Sequence, residues 1–223
     1  VRYFRTYPNL GIIYRARKES ETVGHYSRLR EVVNSVEPSE NEITVVESPP
    51  SNEIDDLIGY TDSAYNDDVT TRRSTMGYVF LDQGGAVAWS SKQQKDPALS
   101  STEAELVALT HGATQAQALK VLKHEMGYGS VDPIVLLGDN TGAIAVSKDP
   151  RHASRLKHVQ SRHFWVRNAI KEGVVDVKYI STKEEIADIF TKALPRPAFD
   201  KHRAALGLAN PPVGLRGGVE QDA

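Results

Sequence analysis

The chain has 223 residues, 39% apolar and 25% charged, with a formal net charge of −2. That is enough for one sizeable domain with extensions, and the near-neutral charge argues against a uniformly basic nucleic-acid binder. The absence of cysteine excludes disulfides and thiolate metal sites and fits an intracellular setting; no apolar run is long enough to span a bilayer and no secretory signal is recognisable. The first residue is Val1, so the chain reads as a fragment or a processed piece.

Residues 1–14, "VRYFRTYPNLGIIY", mix aromatics, arginine and β-branched residues and read as the end of a preceding unit, a helix and then a strand. Residues 15–55 turn polar and acidic, with "PSENE" and "SPPSNE", the composition of a linker or poorly ordered insert. From Glu31 to Asp56 there are eight acids and no Lys or Arg, whereas Lys148 to Lys171 holds seven Lys/Arg against one acid. Such segregation can build a phosphate-attracting face on a neutral protein, although a solvated helix surface gives the same pattern.

A folded core is expected over 56–208, followed by a flexible tail from 209 to 223. "LIGYTDS" predicts a strand ending in acid. "MGYVFLD" and "AVAWSS" flank Gln83-Gly84-Gly85, the signature of an antiparallel hairpin. Residues 101–126 contain no proline and predict a long helix stopping at "GYG". "PIVLLGD" is a continuous apolar run, as in a strand buried on both faces. A short helix in "TGAIAVSK", a basic helix over 154–171, a strand in "GVVDVKYI", a helix in "KEEIADIFTKAL" and an amphipathic "AFDKHRAALGL" complete the order. The class is α/β, a mixed five-stranded sheet with antiparallel strands first and parallel additions later.

Acids recur at the ends of these elements. Asp62 closes the first strand, Asp139 the buried one, Glu105 lies in the first turns of the long helix, and Asp188 sits within "EEIADIF". Carboxyl ends of adjacent parallel strands open onto one crevice, where Asp62 and Asp139 can meet and the helices can add Glu105 and Asp188. Clustered carboxylates repel, so together they call for a cation, and Mg²⁺ with its preference for oxygen suits them. Two such ions roughly 3.5–4 Å apart can clamp an in-line phosphoryl displacement. Acids at strand ends are also ordinary turn residues, and spacing alone does not separate the two cases.

"LSSTEAELVAL" offers two glutamates. Ser100 with Glu103 forms a capping box, and Thr102 with Glu105 repeats it, so capping does not decide between them. Helix geometry does more. Positions +3, +4, +7 and +11 from Glu105 are Ala108, Leu109, Gly112 and Ala116, a small apolar stripe; Glu103 leads to Thr110, Thr114 and Gln117, a polar one. A carboxylate on a packed stripe needs a partner, which makes Glu105 the better ligand candidate and Glu103 the better cap. The same pattern makes Ser181 and Glu184 a capping box for the helix carrying Asp188.

"GYTDSAYNDDVTTRRSTMGYVFLDQGGAVAWSSKQQKDPALSSTEAELVAL", then "GDNTGAIAVSKDPRHASRLKHVQSRHFWVRNAI" and "EEIADIFTKALPRPAFDKHRAALGL", resemble in order the ribonuclease H domain of copia-type LTR retrotransposon Pol polyproteins. The resemblance covers about residues 57–208, and "RYFRTYPNLGIIY" is similar to the segment that follows the reverse transcriptase. It implies a ribonuclease H-like fold and Mg²⁺-dependent cleavage of the RNA strand of RNA–DNA hybrids, with Mn²⁺ able to substitute. It also implies a reverse transcriptase domain of the same polyprotein as partner, and a place in a cytoplasmic virus-like particle or the nucleus. Asp62, Glu105, Asp139 and Asp188 match the family's catalytic, metal-binding carboxylates. The loop "YISTKEE" has no histidine where many ribonucleases H carry one, which leaves the proton shuttle unassigned, and "SAYNDD" stands where Trp and Gly often follow the first aspartate.

Arg72, Arg73, Asn140, Arg155, Lys157 and His158 are the candidate hybrid contacts; the two arginines could equally flank a turn. His152, His158 and His163 lack the i, i+4 spacing of a helical zinc pair. Trp89 and Trp165 are expected in or against the core. A rival reading keeps the fold as a non-catalytic hybrid-binding or connection module; a third, a DNA nuclease or integrase, is disfavoured by the specific motifs.

Overall fold

The computed structural model describes residues 11–12, 57–127, 132–149 and 160–209. Nearly all of the 1–14 segment, the 15–55 insert, the tail beyond 209 and Arg155, Lys157 and His158 lie outside them. Strands β2 (Ile58–Ala64), β3 (Thr75–Asp82), β4 (Gly85–Gln93), β5 (Ile134–Gly138) and β6 (Val175–Tyr179) form one sheet in the order β4-β3-β2-β5-β6. The β2–β3 and β3–β4 pairs are antiparallel, while β2–β5 and β5–β6 are parallel. This is the mixed five-stranded sheet expected. A separate antiparallel pair joins β1 (Gly11–Ile12) to β7 (Leu208–Ala209).

The hairpin between β3 and β4 turns at Gln83 (φ 49°) and Gly84 (φ 76°). Two successive left-handed residues twist the chain in the sense that right-twisted strands require.

Helix α1 (Ser101–Glu125) lies over one face of the sheet with α2 (Thr141–Lys148) and α3 (Gln160–Lys171). Leu106, Leu109, Ala113 and Ala116 pack there against Tyr78, Phe80, Leu136 and Val177. The alternate residues Tyr60, Val79, Leu81 and Leu137 face a second core with Ile186, Ala187 and Leu206. β2 is therefore covered on both sides and buried along its whole length. Gly112 lets α1 approach closely, since a Cβ there would collide with the Thr61 methyl. Among the described residues no helix is long and apolar enough to cross a membrane.

Three expectations need correction. "KEEIADIFTKAL" is not one helix: a 3₁₀ turn at Thr182–Glu184 is followed by α4 (Asp188–Thr191) and, after Pro195, α5 (Arg196–Ala205). Glu185 adopts an extended backbone (ψ 100°), and its buried Oε1 accepts the Ala187 N–H at 2.9 Å, so a local side-chain bond replaces the helical ladder. Ser181 precedes the 3₁₀ turn but makes no side-chain cap bond, so the Ser181–Glu184 capping box does not form. Trp89 is 53% exposed, because it stands on β4, the edge strand of the sheet. Trp165 does pack against the α1-side core, as expected.

Candidate metal centre

The parallel register aligns Tyr60 of β2 with Leu137 of β5. Two residues further along each strand direction stand Asp62 and Asp139, brought level at the carboxyl end of the sheet. Glu105 comes from the second turn of α1, which packs on β2. One carboxylate oxygen from each of Asp62, Glu105 and Asp139 lies within 4.8 Å of the others. Asp62 is fully buried, Glu105 is 7% exposed and Asp139 is half-buried.

The division within "STEAEL" is resolved by the cap. Ser100 Oγ accepts the Glu103 N–H at 3.1 Å, and Glu103 Oε2 accepts the Leu99 N–H at 2.9 Å. Glu103 is thereby held at the helix start, while the stripe of Ala108, Leu109, Gly112 and Ala116 is buried and carries Glu105 inward.

Burial pushes the Glu105 carboxyl up from its ordinary 4.5 to about 9, and the charges of Asp62 and Asp139 push the same way; Lys192 and the Ser63 N–H oppose them. Three carboxylates so close cannot all ionise without a cation. The donors are all hard oxygens, with no nitrogen or sulfur among them, which fits a hard divalent ion.

Asp188, the first residue of α4, does not join the three-oxygen group. It stands beside it, linked through Lys192, whose Nζ is 2.6 Å from Asp188 Oδ1 and 3.0 Å from Asp62 Oδ1. The other Asp62 oxygen accepts a hydrogen bond from Thr191 Oγ1. Burial raises the Asp188 carboxyl to about 6 against the pull of the Lys192 hydrogen bond. Burial alone would depress the Lys192 ammonium, but Asp62 and Asp188 carry it above the usual lysine range.

Thr191 and Lys192 lie in "KEEIADIFTKAL" and were not among the residues expected at the site; the signal for them was the i, i+4 spacing of Asp188 and Lys192. Nor was Glu185, which is wholly buried behind the site. Its Oε2 has no hydrogen-bond partner among the described residues. Burial holds its carboxyl well above the ordinary range, reinforced by Asp62, Asp139 and Asp188 and opposed by the Ala187 N–H.

Of the candidate hybrid contacts, Arg72 lies exposed and Arg73 half-buried in the β2–β3 loop. Arg72 has φ 57° and donates its N–H to the Asp68 carbonyl at 2.8 Å, so the backbone there forms a turn. Asn140 caps α2, its Oδ1 accepting the Ala143 N–H at 2.9 Å.

Residues 61–140 match a protein-family model described as "Reverse transcriptase-like". Over 152 residues the chain is 38% identical to a retrovirus-related Pol polyprotein from transposon TNT 1-94 of Nicotiana tabacum, covering 68% of this chain and 11% of that one. A retrovirus-related Pol polyprotein from transposon RE1 of Arabidopsis thaliana is 33% identical over 156 residues, covering 70% and 11%. The chain thus spans about a tenth of the length of these relatives. Among solved structures, LC11-RNase H1 in complex with an RNA/DNA hybrid is 17% identical, with a TM-score of 0.43 covering 65% of this chain and 97% of that one.

Proposed function

Because this chain carries a ribonuclease H-like domain of the kind found in retrotransposon Pol polyproteins, we propose that it hydrolyses the RNA strand of RNA–DNA hybrids. It does so as one domain of a copia-type polyprotein that also carries the reverse transcriptase. The observation that carries the reading is the convergence of Asp62, Glu105 and Asp139 from two parallel strands and a helix onto one point.

These three carboxylates would hold a divalent ion, Mg²⁺ in the cell with Mn²⁺ able to replace it, and Asp188 would complete the set from α4. Bound there, the ion supplies charge stabilisation at a scissile phosphate and an acidified water. The residues supply the rest. The sheet fixes Asp62 and Asp139 level with each other, α1 delivers Glu105 from a packed face, and the α4 residues orient Asp62 through both its oxygens. Recognition of the hybrid rests on backbone shape and 2′-hydroxyls, so it is weak in sequence preference and strong in salt dependence. Arg72 and Arg73, on the β2–β3 loop, are the contacts proposed within the described residues, with Asn140 beside the site.

The test is a labelled RNA–DNA hybrid and a matching DNA duplex, each with Mg²⁺ or with EDTA. RNA cleavage restricted to the hybrid and abolished by EDTA is expected. Hybrid binding without Mg²⁺-dependent cleavage would turn the reading to a non-catalytic hybrid-binding module.

A further inference from the structure

The end of α4 presents two adjacent side chains to one buried aspartate. Thr191 Oγ1 donates to one oxygen of Asp62 and Lys192 Nζ to the other, while the same ammonium reaches Asp188 Oδ1 at 2.6 Å. Gly77, paired with Asp62 across β2 and β3, makes this contact possible: a Cβ there would stand 2.9 Å from the Thr191 methyl and 2.9 Å from Phe190 Cβ. The Lys192 side chain is 35% exposed against 0% for Asp62 and 10% for Asp188, so the charge enters from the solvent side and closes over the pair.

We infer that Lys192 is a built-in counter-cation of the Asp62–Asp188 pair, so that a divalent ion taking both carboxylates must exchange with its ammonium. This rests on the metal-dependent reading above. An ammonium and a dication cannot share the same carboxylate oxygens, because they repel at contact distance and compete for the same lone pairs. The two halves of the acidic site are therefore unequal. Asp139 and Glu105 offer oxygens to which Lys192 makes no hydrogen bond or ion pair, whereas binding through Asp188 Oδ1 requires the lysine to swing out. Lys192 acts as a positioning residue: it keeps Asp62 oriented in the metal-free protein and weakens the second ion relative to the first.

Mn²⁺ binding measured by isothermal titration calorimetry, with the fold followed by circular dichroism, tests this in the wild-type chain, Lys192→Met and Lys192→Arg. The wild type is expected to take one ion tightly and a second weakly or not at all. Lys192→Met should bind the second about tenfold more tightly, within the usual range of coupling between two sites, while Lys192→Arg keeps the weak step. A Lys192→Met chain that unfolds in EDTA and refolds on Mn²⁺ shows the same exchange. An isotherm identical to wild type, or a chain that stays unfolded at saturating Mn²⁺, overturns it. The nuclease reading fails separately. A wild-type chain that leaves the hybrid uncut while Lys192→Met tightens the second step sinks that reading and leaves the exchange standing.

Discussion

Glu103 and Glu105 are two residues apart on one helix and face opposite problems. Glu103 reaches back to the Leu99 N–H at 2.9 Å and closes the helix start, while Glu105 is carried down a buried stripe to Asp62 and Asp139. Adjacency in sequence places them about 200° apart around the axis, so one side chain ends α1 and the other enters the site.

The pair gives a direct contrast. Glu105→Gln is expected to lower the cleavage rate on the order of a hundredfold or more, the scale for losing one preorganised group at a developing charge. The fold should remain intact, and the variant should melt higher than wild type in EDTA because one of three crowded acids is gone. Glu103→Gln should keep cleavage and cost on the order of 1 kcal/mol or less of stability through a weakened cap. Hybrid cleavage and thermal melting, run on both variants, check this.

The pH dependence has a definite sign. In the metal-free protein Glu105 titrates near 9 against 4.5 ordinarily, and Asp188 near 6 against 3.8. Between these values the folded chain holds more protons than the unfolded one, so stability falls as pH rises, first from about 4 to 6 through Asp188 and onward to about 9 through Glu105. Mg²⁺ should oppose the fall and stabilise more at pH 8 than at pH 6, because binding expels the Glu105 proton. Melting curves with EDTA and with Mg²⁺ across pH 5 to 9 measure it; a metal-free stability that rises over that range contradicts the assignment.

Glu185 should behave as a neutral hydrogen-bonding group. Glu185→Gln retains an acceptor for the Ala187 N–H and, because the folded carboxyl holds at pH 7 a proton that the unfolded one releases, should raise stability at pH 7. Glu185→Ala leaves that donor unpaired and a cavity beside Ile186, at a cost of about 2–4 kcal/mol by denaturant unfolding. Equal losses in the two variants would show that Glu185 is ionised.

Gly77→Ala probes how closely α4 approaches the sheet. The added methyl meets Phe190 and Thr191 at 2.9 Å, so overpacking should cost about 1–3 kcal/mol. Because Thr191 moves away from Asp62, cleavage should fall further than stability alone requires. Comparing initial rates well below the melting temperature separates the two effects.

Much of this was legible from spacing. Continuous apolar runs marked β2 and β5, and the apolar stripe below Glu105 separated it from Glu103 before any tertiary information. What spacing could not show was the path from 180 to 196. There "STKEEIADIFTK" has helical periodicity, but the Glu185 side chain accepts the Ala187 N–H and Lys192 returns to extended conformation, leaving α4 four residues long. Both interruptions come from ionisable side chains drawn into a buried site, and local pattern carries no information about that. Trp89 misled for a related reason: aromatic character predicts burial, but only strand order places it on an edge.

The central position of β2 has a consequence for time as well as space. Asp62 lies on a strand buried along its whole length and is paired with Gly77 of β3, so its backbone amide should exchange with solvent far more slowly than those of α4. α4, one turn long and held by Thr191 and Lys192, can open by itself far more often. The acidic site thus joins a buried strand to a single helical turn, and each opening of that turn should release Asp62 from Thr191 and Lys192 while its backbone stays in the sheet.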